Sequence, residues 1–128
     1  MKDTISINDL DRAIAERLDS YSSEVTRRVR KVTTGAIRKL VRKTRERAPK
    51  DTGSFAGHIA STYEDGGSTY KGVWYVKDPD YRLTHLLVHG HQLRNGGRTK
   101  PNSFLADSVD EVADEYVKGL EKAVKADD

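Results

Sequence analysis

The sequence predicts a small α+β domain, and three observations predict it. Apolar residues near the N-terminus recur at helical spacing, a middle stretch alternates with period two, and a helical period returns near the C-terminus. At 128 residues the chain is the size of one domain, and no repeat of domain size is visible. The expected architecture is a long N-terminal helix and a C-terminal helix packed on a short antiparallel β-sheet. A short helix and a glycine-rich basic loop lie between them.

The first helix is expected over residues 8–47. Asn8 or Ser6 caps its start, Asp9 and Asp11 suit the positive end, and Pro49 prevents continuation. Its apolar stripe reads Leu10, Ile14, Leu18, Tyr21, Val25, Val29, Val32, Ala36 and Leu40, with Ile37 and Val41 alongside, an eleven-residue repeat with a slight right-handed drift. A rod of about 38 residues reaches about 57 Å at ~1.5 Å per residue and calls for support from a sheet or from other chains. Gly35 is its weak point, where a kink or a break into two helices fits the sequence.

A β-hairpin is expected over residues 57–77. Ile59, Ser61 and Tyr63 alternate with Ala60 and Thr62, the stretch from Glu64 through Gly66-Gly67 turns, and Tyr70, Val73, Trp74, Tyr75 and Val76 form the return strand. Asp78-Pro79-Asp80 ends it and caps a short helix over 80–89, which stops at Gly90. Residues 90–103 read as a flexible loop in which Asn95-Gly96-Gly97 accept backbone angles closed to most residues. The last helix, 104–125, has Val109, Val112, Tyr116, Leu120 and Ala123 or Val124 as its inner stripe.

Composition limits the function classes. Hydrophobic residues make up 35% of the chain and charged residues 34%, so core material is modest and neighbours are expected to complete part of the surface. The absence of cysteine removes disulfide and thiolate chemistry. The N-terminus lacks a hydrophobic signal region, and no apolar run reaches the roughly 20 residues of a membrane span, so the chain is expected to be soluble with no membrane partner.

The net charge of +3 is unevenly spread. Residues 27–50 hold eleven cations against one anion, for +10, whereas residues 103–128 hold three cations against eight anions, for -5. Two readings stand side by side. These are two solvated helix faces, or the acidic last helix of one subunit lies near the basic helix of the next and steers assembly.

Catalytic signals are weak. His85 and His89 share a helical face at metal-ligand spacing, but no carboxylate accompanies them and His91 lies past the helix stop; His58 stands apart on the hairpin. Gly96-Gly97 beside Arg94, Arg98 and Lys100 suits phosphate binding through backbone amides, but simple loop mobility explains the glycines better. No catalytic, cofactor-binding or metal residue is predicted, and the chain does not read as an enzyme. Non-specific DNA binding through the basic helix 27–50 is the alternative, with Arg38, Lys39, Arg42 and Lys43 as contacts to DNA or to another subunit.

Two motifs carry a resemblance. The first is Leu83-Thr84-His85-Leu86-Leu87, Gly90-His91 and Leu93-Arg94-Asn95-Gly96-Gly97-Arg98. The second is Ala48-Pro49-Lys50-Asp51-Thr52-Gly53 at the end of the first helix. Together, in this order of elements over nearly the whole chain, they resemble the tail-component or head-tail connector (neck and tail-completion) family of long-tailed bacteriophages. The chain departs from that pattern at Val88-His89 and at Pro101-Asn102. The resemblance implies a virion structural protein, assembled in the bacterial host cytoplasm, that joins head to tail as one subunit of a homo-oligomeric ring. Adjacent connector and tail proteins would be its partners, with non-specific contact to genomic DNA, and a tail terminator is the neighbouring alternative. Arg94, Asn95, Gly96, Gly97, Arg98 and Lys100 are the expected interface residues.

Overall fold

A computed structural model describes residues 12–48, 54–77, 96–97 and 102–125. Its elements, in chain order, are β1 (Arg12–Arg17), α1 (Ser23–Arg47), α2 (Ser54–Gly57), β2 (Ile59–Asp65), β3 (Thr69–Val76) and α3 (Phe104–Lys125). The fold is α+β, a three-stranded antiparallel sheet of order β1-β3-β2 with two long helices.

Residues 12–17 of the expected long helix form a strand. Leu10, Ile14 and Leu18 are spaced by four, a spacing that satisfies a helical stripe and, being even, one face of a strand equally well. In β1 the alternation wins: Arg12, Ile14 and Glu16 are half-buried, while Ala13, Ala15 and Arg17 are exposed. A turn follows, closed by the Tyr21 amide on the Leu18 carbonyl at 3.1 Å. Ser22, not Asn8 or Ser6, then caps α1 by accepting from the Val25 amide at 3.2 Å, with Glu24 in the first turn.

At 25 residues α1 spans about 38 Å at ~1.5 Å per residue, and its length no longer calls for other chains to support it. It runs unbroken through Gly35 to Arg47, so the chain does not break into two helices there; the Ala48 amide closes the last turn on the Thr44 carbonyl at 2.8 Å.

The hairpin forms as expected, with the small turn α2 before it. Gly67 adopts φ +86 at its tip, its amide donating to Asp65 Oδ1 at 3.0 Å, a backbone conformation that favours glycine. The expected short helix 80–89 and nearly all of loop 90–103 lie outside the described residues. Within that loop Gly96 has φ +91. Before α3, Asn102 Oδ1 accepts from the Phe104 amide at 2.9 Å.

One sheet face packs on α1. Trp74, wholly buried, donates its indole N–H to Thr44 Oγ1 at 2.9 Å, and Thr44 in turn donates to the Leu40 carbonyl at 2.7 Å. Tyr70 and Thr34 share a hydroxyl hydrogen bond at 2.6 Å. Gly72 lies under Ile37 so closely that a β-carbon there would come within 2.8 Å of Ile37 Cγ1. The main core joins Leu40, Ile59, Trp74, Phe104, Leu105 and Val112, and a smaller cluster of Leu18, Val25 and Val29 closes the other end.

Helix α3 runs antiparallel along the flank of α1 and reaches β1. Tyr116 donates to Glu16 Oε2 at 2.7 Å and accepts from Thr33 at 3.2 Å, so one phenol ties three elements together. Val112 and Ala123 of the expected inner stripe are buried, whereas Val124 is 38% exposed.

Candidate functional site

The charged surface of the helix layer is the feature that sequence totals left unsorted. Rotation of α1 about its axis divides its cations into those facing α3, those facing the sheet edge and those facing solvent. Facing α3, Lys39 pairs with Glu115, Lys43 meets Glu111 at 2.8 Å, and Arg47 meets Glu111 at 2.8 Å and Ser108 at 3.2 Å. The Arg47 hydrogen bond, followed by that of Lys43, holds the Glu111 carboxyl at about 2; Lys39 lowers Glu115 in the same way.

The acidic last helix thus meets the basic first helix within one chain. Lys39 and Lys43, expected as contacts to DNA or to another subunit, each pair with an α3 carboxylate.

At the sheet edge, Arg30 reaches Asp65 from two nitrogens at 3.1 Å each, the Nη2 contact having hydrogen-bond geometry, and also reaches the Gly67 carbonyl at 3.3 Å. Arg45 donates to the Ile59 carbonyl at 2.8 Å. Both ends of β2 are thereby covered by α1 side chains, one of the ways an edge strand is protected.

Arg27, Lys31, Arg38 and Arg42 remain on the exposed ridge. At ~100° per residue they fall within an arc of about 60°, and at ~1.5 Å per residue they run for about 22 Å. Arg27 pairs with Glu24 and Arg42 lies a loose 3.8 Å from Glu46, while Lys31 and Arg38 have no ion-pair partner among the described residues. The two outer members of the sequence-predicted set, Arg38 and Arg42, therefore stay on the surface.

The opposite shoulder belongs to α3. Ala106, Ala113, Val117 and Val124 are all exposed and fall within an arc of about 40° at ~100° per residue, with Val117 54% exposed. Asp110, Asp114 and Glu121 flank this seam and have no ion-pair partner among the described residues. Beside it an apolar cleft of about 230 Å³ opens between β1 and α3, lined by Ile14, Leu40, Val109, Val112, Tyr116 and Val117. Sequence reading missed the seam because it sought the buried stripe; the 106-113-117-124 spacing was the available signal.

Of the predicted loop contacts, Gly96 and Gly97 are exposed; Arg94, Asn95, Arg98 and Lys100 lie outside the described residues, as do His85, His89 and His91. Among the described residues no three His, Cys, Asp or Glu side chains converge as a metal site, and no helix is long and apolar enough to cross a membrane. Compared with protein-family models, curated proteins and solved structures, the chain gives no match. The arrangement is suited to recognition: a cationic ridge on one shoulder, an acid-flanked apolar seam on the other, and a lane of ion pairs between.

Proposed function

We propose that the chain is a structural assembly protein of a tailed bacteriophage or prophage, joining head to tail as a subunit of a neck or tail-completion ring. The observation that carries this reading is the two-sided charge layout of the helix layer. A ring subunit contacts one neighbour through each of two different surfaces, and this chain has two different, complementary shoulders. The motifs in residues 48–53 and 83–98 point the same way by resemblance. The mechanism is binding without chemistry, with residues of the segment 90–103 contacting a neighbour or an adjoining ring.

Replacing Arg94, Arg98 and Lys100 with Ala tests the reading. The fold should survive, by circular dichroism, while the yield of joined particles from purified heads and tails falls; normal joining overturns the assignment of that loop. Failure of the wild-type chain to bind either heads or tails overturns the function itself.

Non-specific DNA binding is the second reading, favoured by the alignment of Lys31, Arg38 and Arg42 on one ridge. A steep loss of duplex affinity with salt, together with no binding to particles, selects it. A tail terminator would use the same two shoulders one ring further along.

A further inference from the structure

We infer that the cationic ridge of α1 seats on the acid-flanked seam of α3 in a second copy of this chain, head to tail. The inference deepens the ring reading above by naming the contact between subunits.

The occupant of the seam follows from charge. Asp110, Asp114 and Glu121 border the exposed Ala113, Val117 and Val124, so two seams brought together by a two-fold axis would set like charges against each other. The arrangement resembles half of a helix-helix seam whose flanking positions choose the partner by opposite charge. A helix with cations along one ridge is the complement. Such a helix is present in every copy, on the shoulder that α3 does not cover.

The placement of the two shoulders permits this contact without disturbing the fold. Helix α1 lies over β3 and β2, and α3 lies on its other flank, tied to β1 through Tyr116 and Glu16. The ridge and the seam therefore point outward on opposite sides of the helix layer. The ion pairs Lys39–Glu115 and Lys43–Glu111 stay intact between them. Joining unlike surfaces in this way is heterologous, and repetition closes into a ring if the rotation between neighbours divides a full turn.

Charge reversal with rescue tests the contact in the full chain. The association of the wild-type protein is measured by sedimentation, up to about 1 mM protein, at about 0.05 M and about 0.5 M salt, where the screening length differs roughly threefold. Association at low salt that weakens at high salt is expected. Arg38→Glu/Arg42→Glu and Asp110→Lys/Asp114→Lys should each weaken it at least about tenfold, a loss of about 1.4 kcal/mol. Mixing the two variants, or combining all four changes in one chain, should restore it, because each altered ridge then meets an altered seam. The milder Asp110→Asn/Asp114→Asn variant gives the same direction should the reversal unfold the chain.

A monomeric wild type at low salt, reversals without effect, or reversals that the mixture does not rescue would each overturn the contact. Loss of duplex DNA binding in the ridge variant with unchanged self-association would overturn it in favour of a polyanion on the ridge. Joined particles formed by a chain whose self-association ignores the reversals would sink the contact and leave the function standing. Rescue in solution by a chain that joins no particles would do the reverse.

Discussion

Replacing Thr44 with Val probes the bond that sets the rotation of α1. Thr44 and Trp74 are both 0% exposed, and the indole N–H has Thr44 Oγ1 as its acceptor at 2.9 Å. Valine keeps the shape of threonine and removes the acceptor. The Leu40 carbonyl keeps its place in the helix ladder, so the loss falls on the buried indole donor, at about 1–3 kcal/mol. For a chain of 128 residues, an unfolding entropy of ~2.1 cal/mol/K per residue converts this to a fall in Tm of about 4–11 °C. The chain has one tryptophan, so urea unfolding followed by its fluorescence reports this site, with circular dichroism as the global measure. Thr44→Val in a Trp74→Phe background should cost much less, because no donor remains to be stranded. A coupling below about 0.5 kcal/mol in that double-mutant cycle would refute the hydrogen bond as the source of the effect.

Gly35→Ala should stabilise the protein by about 0.5–1 kcal/mol, since a β-carbon there meets nothing within 4 Å and glycine is the poorer helix former; a lower Tm would show that the helix needs glycine there. Gly72→Ala should destabilise by about 1–3 kcal/mol, because its methyl would press on the buried Ile37 and the Tyr63 ring; an unchanged urea midpoint would mean the sheet and α1 can separate freely. The depressed Glu111 carboxyl contributes stability that is fully present above its ordinary value of 4.5 and is lost as pH falls toward about 2. Glu111→Gln should therefore show a shallower fall in Tm than wild type across that window, and parallel Tm–pH curves would exclude the Arg47 and Lys43 pairs as contributors.

The elements most legible in the sequence were those with one consistent period. Val25, Val29, Ala36, Ile37 and Leu40 marked the buried face of α1, and Gly66-Gly67 between alternating runs marked the hairpin. Helix α3 was legible from Val112, Tyr116 and Leu120. β1 was not, because three apolar residues four apart fit both periods, and the choice was made by pairing with β3, a contact about sixty residues away in the chain. The start signal at Ser22 and Glu24 was present but lay inside a stripe already read as helix. Charge totals were legible and their partners were not: whether Lys39 meets an acid or solvent depends on the angle at which α1 sits against α3, which the sequence expresses only through packing.

That angle also links the core to the proposed function. A rotation of α1 by one residue, about 100°, would carry Lys39 and Lys43 away from Glu115 and Glu111 and turn ridge cations into the α3 contact. Trp74–Thr44, Tyr70–Thr34 and Thr33–Tyr116–Glu16 fix the helix from the sheet side and from the α3 side. Exposed ion pairs alone contribute too little to hold one rotation, typically about 0–1 kcal/mol each. Buried hydroxyl and indole bonds strand a polar group if the helix turns, so they penalise the wrong rotation far more strongly. Loosening α1 by Thr44→Val should thus weaken low-salt self-association by more than the fraction of unfolded chain explains, because it blurs which cations form the ridge.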